Sequence, residues 1–137
     1  MFARITRRLI AAERPLLAAR GLSMWEYVAL SELAAGPAAM QSELARSIGY
    51  DKTRLIGLLD GLQDRGLITR APDPADRRAH RVALTARGRR LHARARADIR
   101  AMEESLLDAL EPAERRALPA ALARLVAPRK GEEPRAG

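Results

Sequence analysis

Residues 41–84 read QSELARSIGYDKTRLIGLLDGLQDRGLITRAPDPADRRAHRVAL, and the fold follows from how this stretch is divided. Gln41 to Ile48 predicts a short helix with Leu44, Ala45 and Ile48 inward. Gly49-Tyr50 turns the chain, and Asp51 caps a longer helix to Arg65. In that second helix Leu55, Leu58, Leu59 and Leu62 form the apolar stripe, which leaves Lys52, Thr53, Arg54 and then Gly57, Asp60, Gly61 and Asp64 for the other side. Two short helices joined by a glycine turn are a helix-turn-helix pattern. Gly66 stops the second helix, and Leu67-Ile68-Thr69-Arg70 has the β-branched character of a strand. Residues 71–79, with two prolines and two aspartates, predict a loop, and His80 to Leu84 a returning strand. A β-hairpin therefore stands directly behind the helix-turn-helix.

Upstream, Phe2 to Ala19 shows a helical period through Ile5, Leu9 and Leu16/Leu17, with Pro15 expected to kink or interrupt it. Ser23 is placed to cap a helix from Met24 to about Ala35, with Trp25, Val28, Ala29 and Leu33 on one face and Gly36-Pro37 as the stop. Downstream, Thr85 is an N-cap for a long helix to about Leu110, following Leu91, Ala95, Ile99, Met102, Leu106 and Leu110. Glu111-Pro112 breaks it, and Ala113 to Val126 predicts a last helix with Leu118, Leu122 and Leu125 as its stripe, despite Pro119. Residues 128–137 have the composition of a disordered tail.

The 137 residues fit one domain and carry a net charge of +8, which favours a polyanionic partner. The charge is uneven: +4 over residues 1–20, −2 over 21–50, +2 over 51–81, +5 over 82–100 and −1 beyond. Arg87, Arg89 and Arg90 open the long helix, where the macrodipole disfavours cations; nearby phosphate or plain solvation accounts for them equally well. The absence of cysteine removes disulfides, thiolate catalysis and thiolate metal sites. No apolar run is long enough to span a bilayer and residues 1–10 lack the features of a signal peptide, so a cytoplasmic protein without membrane association is expected. His80 and His92 have no third ligand at metal spacing, and neither a metal nor a cofactor is expected. No nucleophile–base pattern, phosphate-binding glycine loop or carboxylate pair suggests an enzyme.

The order helix, helix, helix-turn-helix, strand, loop, strand, long helix, helix resembles the MarR (multiple antibiotic resistance regulator) family over about residues 3–127. The resemblance rests on Gln41-x-Glu43-Leu44-Ala45, on Leu62-x-x-x-Gly66-Leu67-Ile68, on Asp76-Arg77-Arg78, and on Leu84-Thr85-x-x-Gly88. It implies a mainly α fold with a β-hairpin wing: a winged helix-turn-helix lobe at 24–84 and dimerisation helices at 1–20 and 85–127. It further implies a homodimer binding palindromic double-stranded DNA, released by a small aromatic or amphipathic ligand. The sequence departs from the family at Met40, where Thr or Ser is frequent, and at Gly57 and Gly61, where basic residues are common.

Under that reading Lys52, Thr53 and Arg54 enter the major groove, with Arg54 suited to guanine and Lys52 to phosphate. Which of the three reads bases stays open. Arg78 aligns with the family's wing arginine, with Asp76 orienting it or bracing the loop and Arg77 left to phosphate. Gln41 and Ser42 are phosphate donors, and Arg70, His80 and Arg81 flank the groove. Trp25 and Tyr27 are candidate walls of a ligand pocket, though a tryptophan in such a place is more often core. Ile5, Leu9, Leu106, Leu110, Leu118, Leu122 and Leu125 are the expected dimer contacts. The alternative is a ligand-independent architectural or protein-interaction winged helix.

Overall fold

The computed structural model describes residues 1–36 and 39–127. The expected tail at 128–137 and Pro37 of the Gly36-Pro37 stop lie outside them. The elements are α1 (Phe2–Ala19), α2 (Met24–Ala35), β1 (Ala39–Met40), α3 (Gln41–Ile48), α4 (Lys52–Asp64), β2 (Ile68–Pro72), β3 (His80–Leu84), α5 (Ala86–Leu107) and α6 (Pro112–Val126). This is the mainly α winged helix-turn-helix architecture that the sequence predicts. The chain forms two compact units, one ending at Arg100 and the second beginning at Ala101.

In the first unit, local chemistry sets most boundaries. Ser23 caps α2 in a reciprocal box: its hydroxyl accepts from the Glu26 amide and its own amide donates to the Glu26 carboxylate. The Asp51 carboxylate accepts from the Arg54 amide at 2.8 Å, which fixes the start of α4. Gly49 and Gly66 take the left-handed conformation, at φ 67° and 71°, where a side chain would be strained. Leu30, Leu44, Leu55, Leu59, Leu62, Leu67, Ile68 and Val82 are all buried to 2% exposure or less, and join α2, α3, α4 and the sheet in one core. Full burial of such a side chain is worth about 1.5–3 kcal/mol, so this core is the main source of the unit's stability.

Four local expectations need correction. Helix α1 runs through Pro15; Pro15 and Ala11, whose carbonyl Pro15 leaves without an amide partner, are both exposed, so water can satisfy that group. Strand β2 extends to Pro72 instead of stopping at Arg70. It is an edge strand in the order β1-β3-β2, where a missing amide is tolerated. The two-residue β1 was not expected at all; it pairs Ala39 with Val82 and Met40 with Arg81, so the sheet has three strands. Met40 supplies no side-chain cap to α3, and β1 pairing anchors that helix start in its place. Trp25 is 41% exposed, and Leu30 takes the buried position on α2 that was expected for Trp25.

The junction between β3 and α5 is tight. Thr85 Oγ1 donates to the Gly66 carbonyl at 2.6 Å and accepts from the Gly88 amide at 3.0 Å. Gly88 itself is pressed against the chain entering β2: a Cβ built there would lie 2.0 Å from the Leu67 carbonyl oxygen. The Leu84-Thr85-x-x-Gly88 motif is thus a packing device. Asp98, on α5, receives two hydrogen bonds from the Arg20 guanidinium at 2.8 and 3.2 Å, which ties the end of α1 to α5. The hydrogen bonds from Arg20 hold the Asp98 carboxyl below its ordinary pKa.

In the second unit, α5 ends at Leu107, not Leu110; Leu110 lies in the turn that follows, and the helix is about 33 Å long. Arg115 on α6 pairs with Asp108 at 2.8 Å and also with Glu104, closing the connection between the two helices. Helix α6 starts at Pro112, where the missing amide is harmless, and continues through Pro119.

Candidate nucleic-acid interface

The leading turn of α4 is exposed at Lys52, Thr53 and Arg54, while Leu55 behind it is buried. The helix dipole adds a partial positive charge at this end, and the Asp51 cap engages the backbone amide of Arg54 and not its guanidinium. Gly66 reverses the chain so that β2 runs back along α4. Arg70 shows the register: its Nε donates to Gln63 at 2.7 Å and its terminal nitrogens to Asp60 and, at 3.4 Å, to Gln41. These contacts place Arg70 of β2 against the second half of α4 and the start of α3.

The hairpin loop is organised by its two aspartates. Asp73 Oδ1 accepts from the Ala75 amide at 3.1 Å and lies 3.7 Å from Arg81 Nε. Asp76 Oδ1 accepts from the Arg78 amide at 3.0 Å, and backbone bonds from Asp73 to Ala79 and from Ala79 to Asp76 close the turn. Asp76 thus braces the loop through the backbone of Arg78 and not through its guanidinium. Arg77 and Arg78 are exposed and form no ion pair among the described residues, so both guanidiniums are available to an external anion.

The remaining sequence candidates divide into two groups. His80 is exposed at the start of β3, and Arg81 is half exposed beside Asp73. Gln41 and Ser42 are half-buried at the start of α3, with Gln41 accepting from Arg70. Arg70 differs from the other cations of this face: three of its five donors are already engaged within the chain, and its side chain is 18% exposed. It is a brace between α3, α4 and β2.

Trp25 and Tyr27 do not share a pocket. Two residues apart on a helix, they diverge by roughly 200°. Trp25 packs on Tyr50, whereas Tyr27 stacks on His92 with centroids 5.4 Å apart. Tyr27, Ser31, Ala34, Ala35, His92 and Arg96 line a cleft of about 300 Å³ between α2 and α5. Neither His92 nor Arg96 was singled out by the sequence as a pocket residue. Their one signal is that 92 and 96 are a helical turn apart on α5, with His92 buried and Arg96 exposed beside it. Another cleft, of about 390 Å³ at the far end of α4, gathers Arg20, Arg65, Arg87, Arg90 and Arg94, so cations opening α5 share one surface with those of α1 and α4.

His92 is 6% exposed and its Nε2 lies 2.9 Å from Ser31 Oγ. Burial, and then the charges of Arg96 and Arg89, hold its pKa below the ordinary imidazole value. The unfolded chain therefore binds a proton more readily than the folded one below about pH 6.5. Stability is complete above that value and declines as the pH falls toward the lowered folded pKa. Asp98 loses its contribution only at far lower pH. Thermal melts from about pH 7.5 down to about 5.5 are expected to show a falling Tm whose slope flattens in His92→Gln; an equal slope in that variant would remove His92 as the cause.

Comparison with known proteins agrees with this geometry. The MarR family model matches residues 20–79. The HTH-type transcriptional repressor Rv2887 of Mycobacterium tuberculosis is 33% identical over 96 residues, 70% of this chain and 69% of that protein. Among solved structures, the transcriptional repressor CouR bound to a 23-mer DNA duplex superposes with a TM-score of 0.80 at 31% identity, covering 92% of this chain and 89% of CouR. Rv2887 in complex with DNA does so with a TM-score of 0.80 at 28% identity, covering 92% of this chain and 94% of Rv2887.

Proposed function

The chain belongs to the MarR family and is a DNA-binding transcriptional regulator, and from that premise we propose that it is a repressor that grips a palindromic operator as a homodimer and is released by a small aromatic acid. The observation that carries the reading is the pairing of an exposed cationic leading turn, Lys52 to Arg54, with a braced hairpin whose Arg77 and Arg78 have no ion-pair partner among the described residues. Lys52 and Arg77 neutralise phosphate, and Arg78 enters the minor groove, where narrow A·T-rich segments concentrate negative potential. Gln41, Ser42, Thr53, His80 and Arg81 complete the contact surface. Arg70 and Asp76 hold it in shape.

Residues 24–84 form the reading lobe in this proposal, and the helices at 1–20 and 85–127 supply dimerisation. Phe2 (60% exposed), Ile5 (46%), Leu122 (46%) and Leu125 (67%) leave apolar surface on α1 and α6 that a second copy would cover. Leu9, Leu106, Leu110 and Leu118 are half-buried in the single chain and belong to the same set. Two lobes set about one duplex turn apart, ~34 Å, read a palindrome. The cleft of Tyr27, His92 and Arg96 suits a small aromatic carboxylate: a ring on the Tyr27 side and the Arg96 guanidinium for the charge.

Footprinting the wild type on DNA upstream of its own gene, with and without a panel of aromatic acids, tests the proposal directly. Arg78→Ala is expected to lose about tenfold in affinity, concentrated at A·T-rich flanks. An unchanged footprint at those flanks would remove the wing from the interface. Protection that no aromatic acid relieves would favour the ligand-independent alternative.

A further inference from the structure

Trp25, Tyr50 and Arg54 form a chain of ring contacts at the leading end of α4. The Tyr50 ring, immediately before the Asp51 cap, lies 4.7 Å from the Trp25 ring between centroids, with the planes at 42°. The Arg54 guanidinium sits over the Tyr50 ring, 5.1 Å from its centroid. The chain has only four Phe, Trp and Tyr residues. Two of them stand here, outside the core, with Trp25 41% exposed. Burial alone does not account for that placement. A common feature of the three is the first turn of the helix that faces DNA, where the Asp51 carboxylate also fixes the Arg54 amide.

Resting on the reading of α4 as the helix that enters the major groove, we propose that Tyr50 and Trp25 are positioning residues that hold Arg54 ready for guanine, and that Arg54, not Lys52 or Thr53, reads the base. A free arginine side chain samples many rotamers, and each must be given up to form a bidentate contact. A ring beneath the guanidinium occupies one of its faces and leaves the in-plane N–H donors, which guanine O6 and N7 require, open at the edge. Trp25 on α2 packs against the Tyr50 ring and so restricts its rotation. Lys52 and Thr53 have no ring partner among the described residues, and a lysine ammonium offers a point charge where a fork is needed.

The test uses a duplex selected by the full-length wild-type protein from a library with a randomised core, followed by affinity measurements on every single-base-pair variant of it. Arg54→Ala is expected to lose discrimination at one guanine-bearing position per half-site. Tyr50→Leu is expected to lower discrimination at that same position about three- to fivefold, the scale of an exposed cation–π contact. Other positions should stay unchanged, Tyr50→Phe should restore the wild-type pattern, and Tyr50→Leu should add nothing in the Arg54→Ala background. A uniform loss at all positions, an additive effect with Arg54→Ala, or no change in Tyr50→Leu overturns the proposal. Trp25 is the sole tryptophan, so its emission gives a readout that does not depend on Tyr50→Leu folding. Emission should change when the wild type binds the duplex and change much less in Arg54→Ala; equal responses in both overturn the coupling. Discrimination that survives Arg54→Ala while Arg78→Ala still weakens binding sinks this inference alone. Indifference of the duplex to both arginines sinks the DNA-binding face with it.

Discussion

Gly88→Ala lowers stability by about 2–4 kcal/mol and the melting temperature by on the order of 10 °C, measured at equal protein concentration. The added methyl would lie 2.0 Å from the Leu67 carbonyl oxygen, 2.9 Å from its carbon and 3.2 Å from its Cα. All three are backbone atoms, so no side chain can rotate away. The first turn of α5 must move off the chain entering β2, and that displaces Thr85, which donates to the Gly66 carbonyl at 2.6 Å. Leu67 and Ile68, each 2% exposed, would be opened to water along with it. The effect is conformational and not a matter of helix propensity, since alanine is the better helix former by about 1 kcal/mol. Gly57 provides the control. A Cβ at Gly57 meets nothing within 4 Å, so Gly57→Ala is expected to be neutral or stabilising. A Gly88→Ala protein melting within about 0.5 kcal/mol of the wild type would show that α5 does not approach Leu67 so closely.

The second large effect is expected from Leu122→Glu combined with Leu125→Glu. These side chains are 46% and 67% exposed in the single chain, so their replacement leaves the fold of one copy nearly untouched. Leu106, half-buried on α5, would confound folding with association, which makes it the poorer choice. In the proposed homodimer, two carboxylates placed in this apolar interface must be desolvated without partners, and the dimer should dissociate. Once separate, each copy contacts one half-site and loses the gain from joined binding, so operator affinity should fall about a hundredfold. Light scattering gives the mass and anisotropy the affinity. A double variant that remains dimeric removes α6 from the interface; one that is monomeric yet binds with wild-type affinity removes the two-headed reading of the operator.

The proposed DNA face shows where sequence reasoning reached and where it stopped. The cationic turn from Lys52 to Arg54 and the aspartate-braced wing from Asp76 to Arg78 were legible because caps and turns act over three or four residues: Asp51 sits three before Arg54, and Asp76 two before Arg78. The engagement of Arg70 was not legible. Its partners Gln63, Asp60 and Gln41 lie 7, 10 and 29 residues away, and nothing in the string RGLITRAP distinguishes a cation held internally from one facing phosphate. Trp25 and Tyr27 are two of the four aromatics and share one helix, which makes them candidate walls of a single pocket, yet helix geometry sends one to Tyr50 and the other to His92.

Taken alone, the amino-acid sequence determined the six helices and the two hairpin strands in their order, the helix starts at Ser23 and Asp51, and the chain turns at Gly49 and Gly66, because each depends on forces acting within one turn of the chain. Tertiary structure alone decided that β1 exists, that Pro72 is tolerated in an edge strand, that His92 is buried against Ser31, and that the Arg54 guanidinium lies over the Tyr50 ring. Those outcomes depend on which distant groups compete for the same space and the same hydrogen-bond donors, and only the folded chain brings the competitors together.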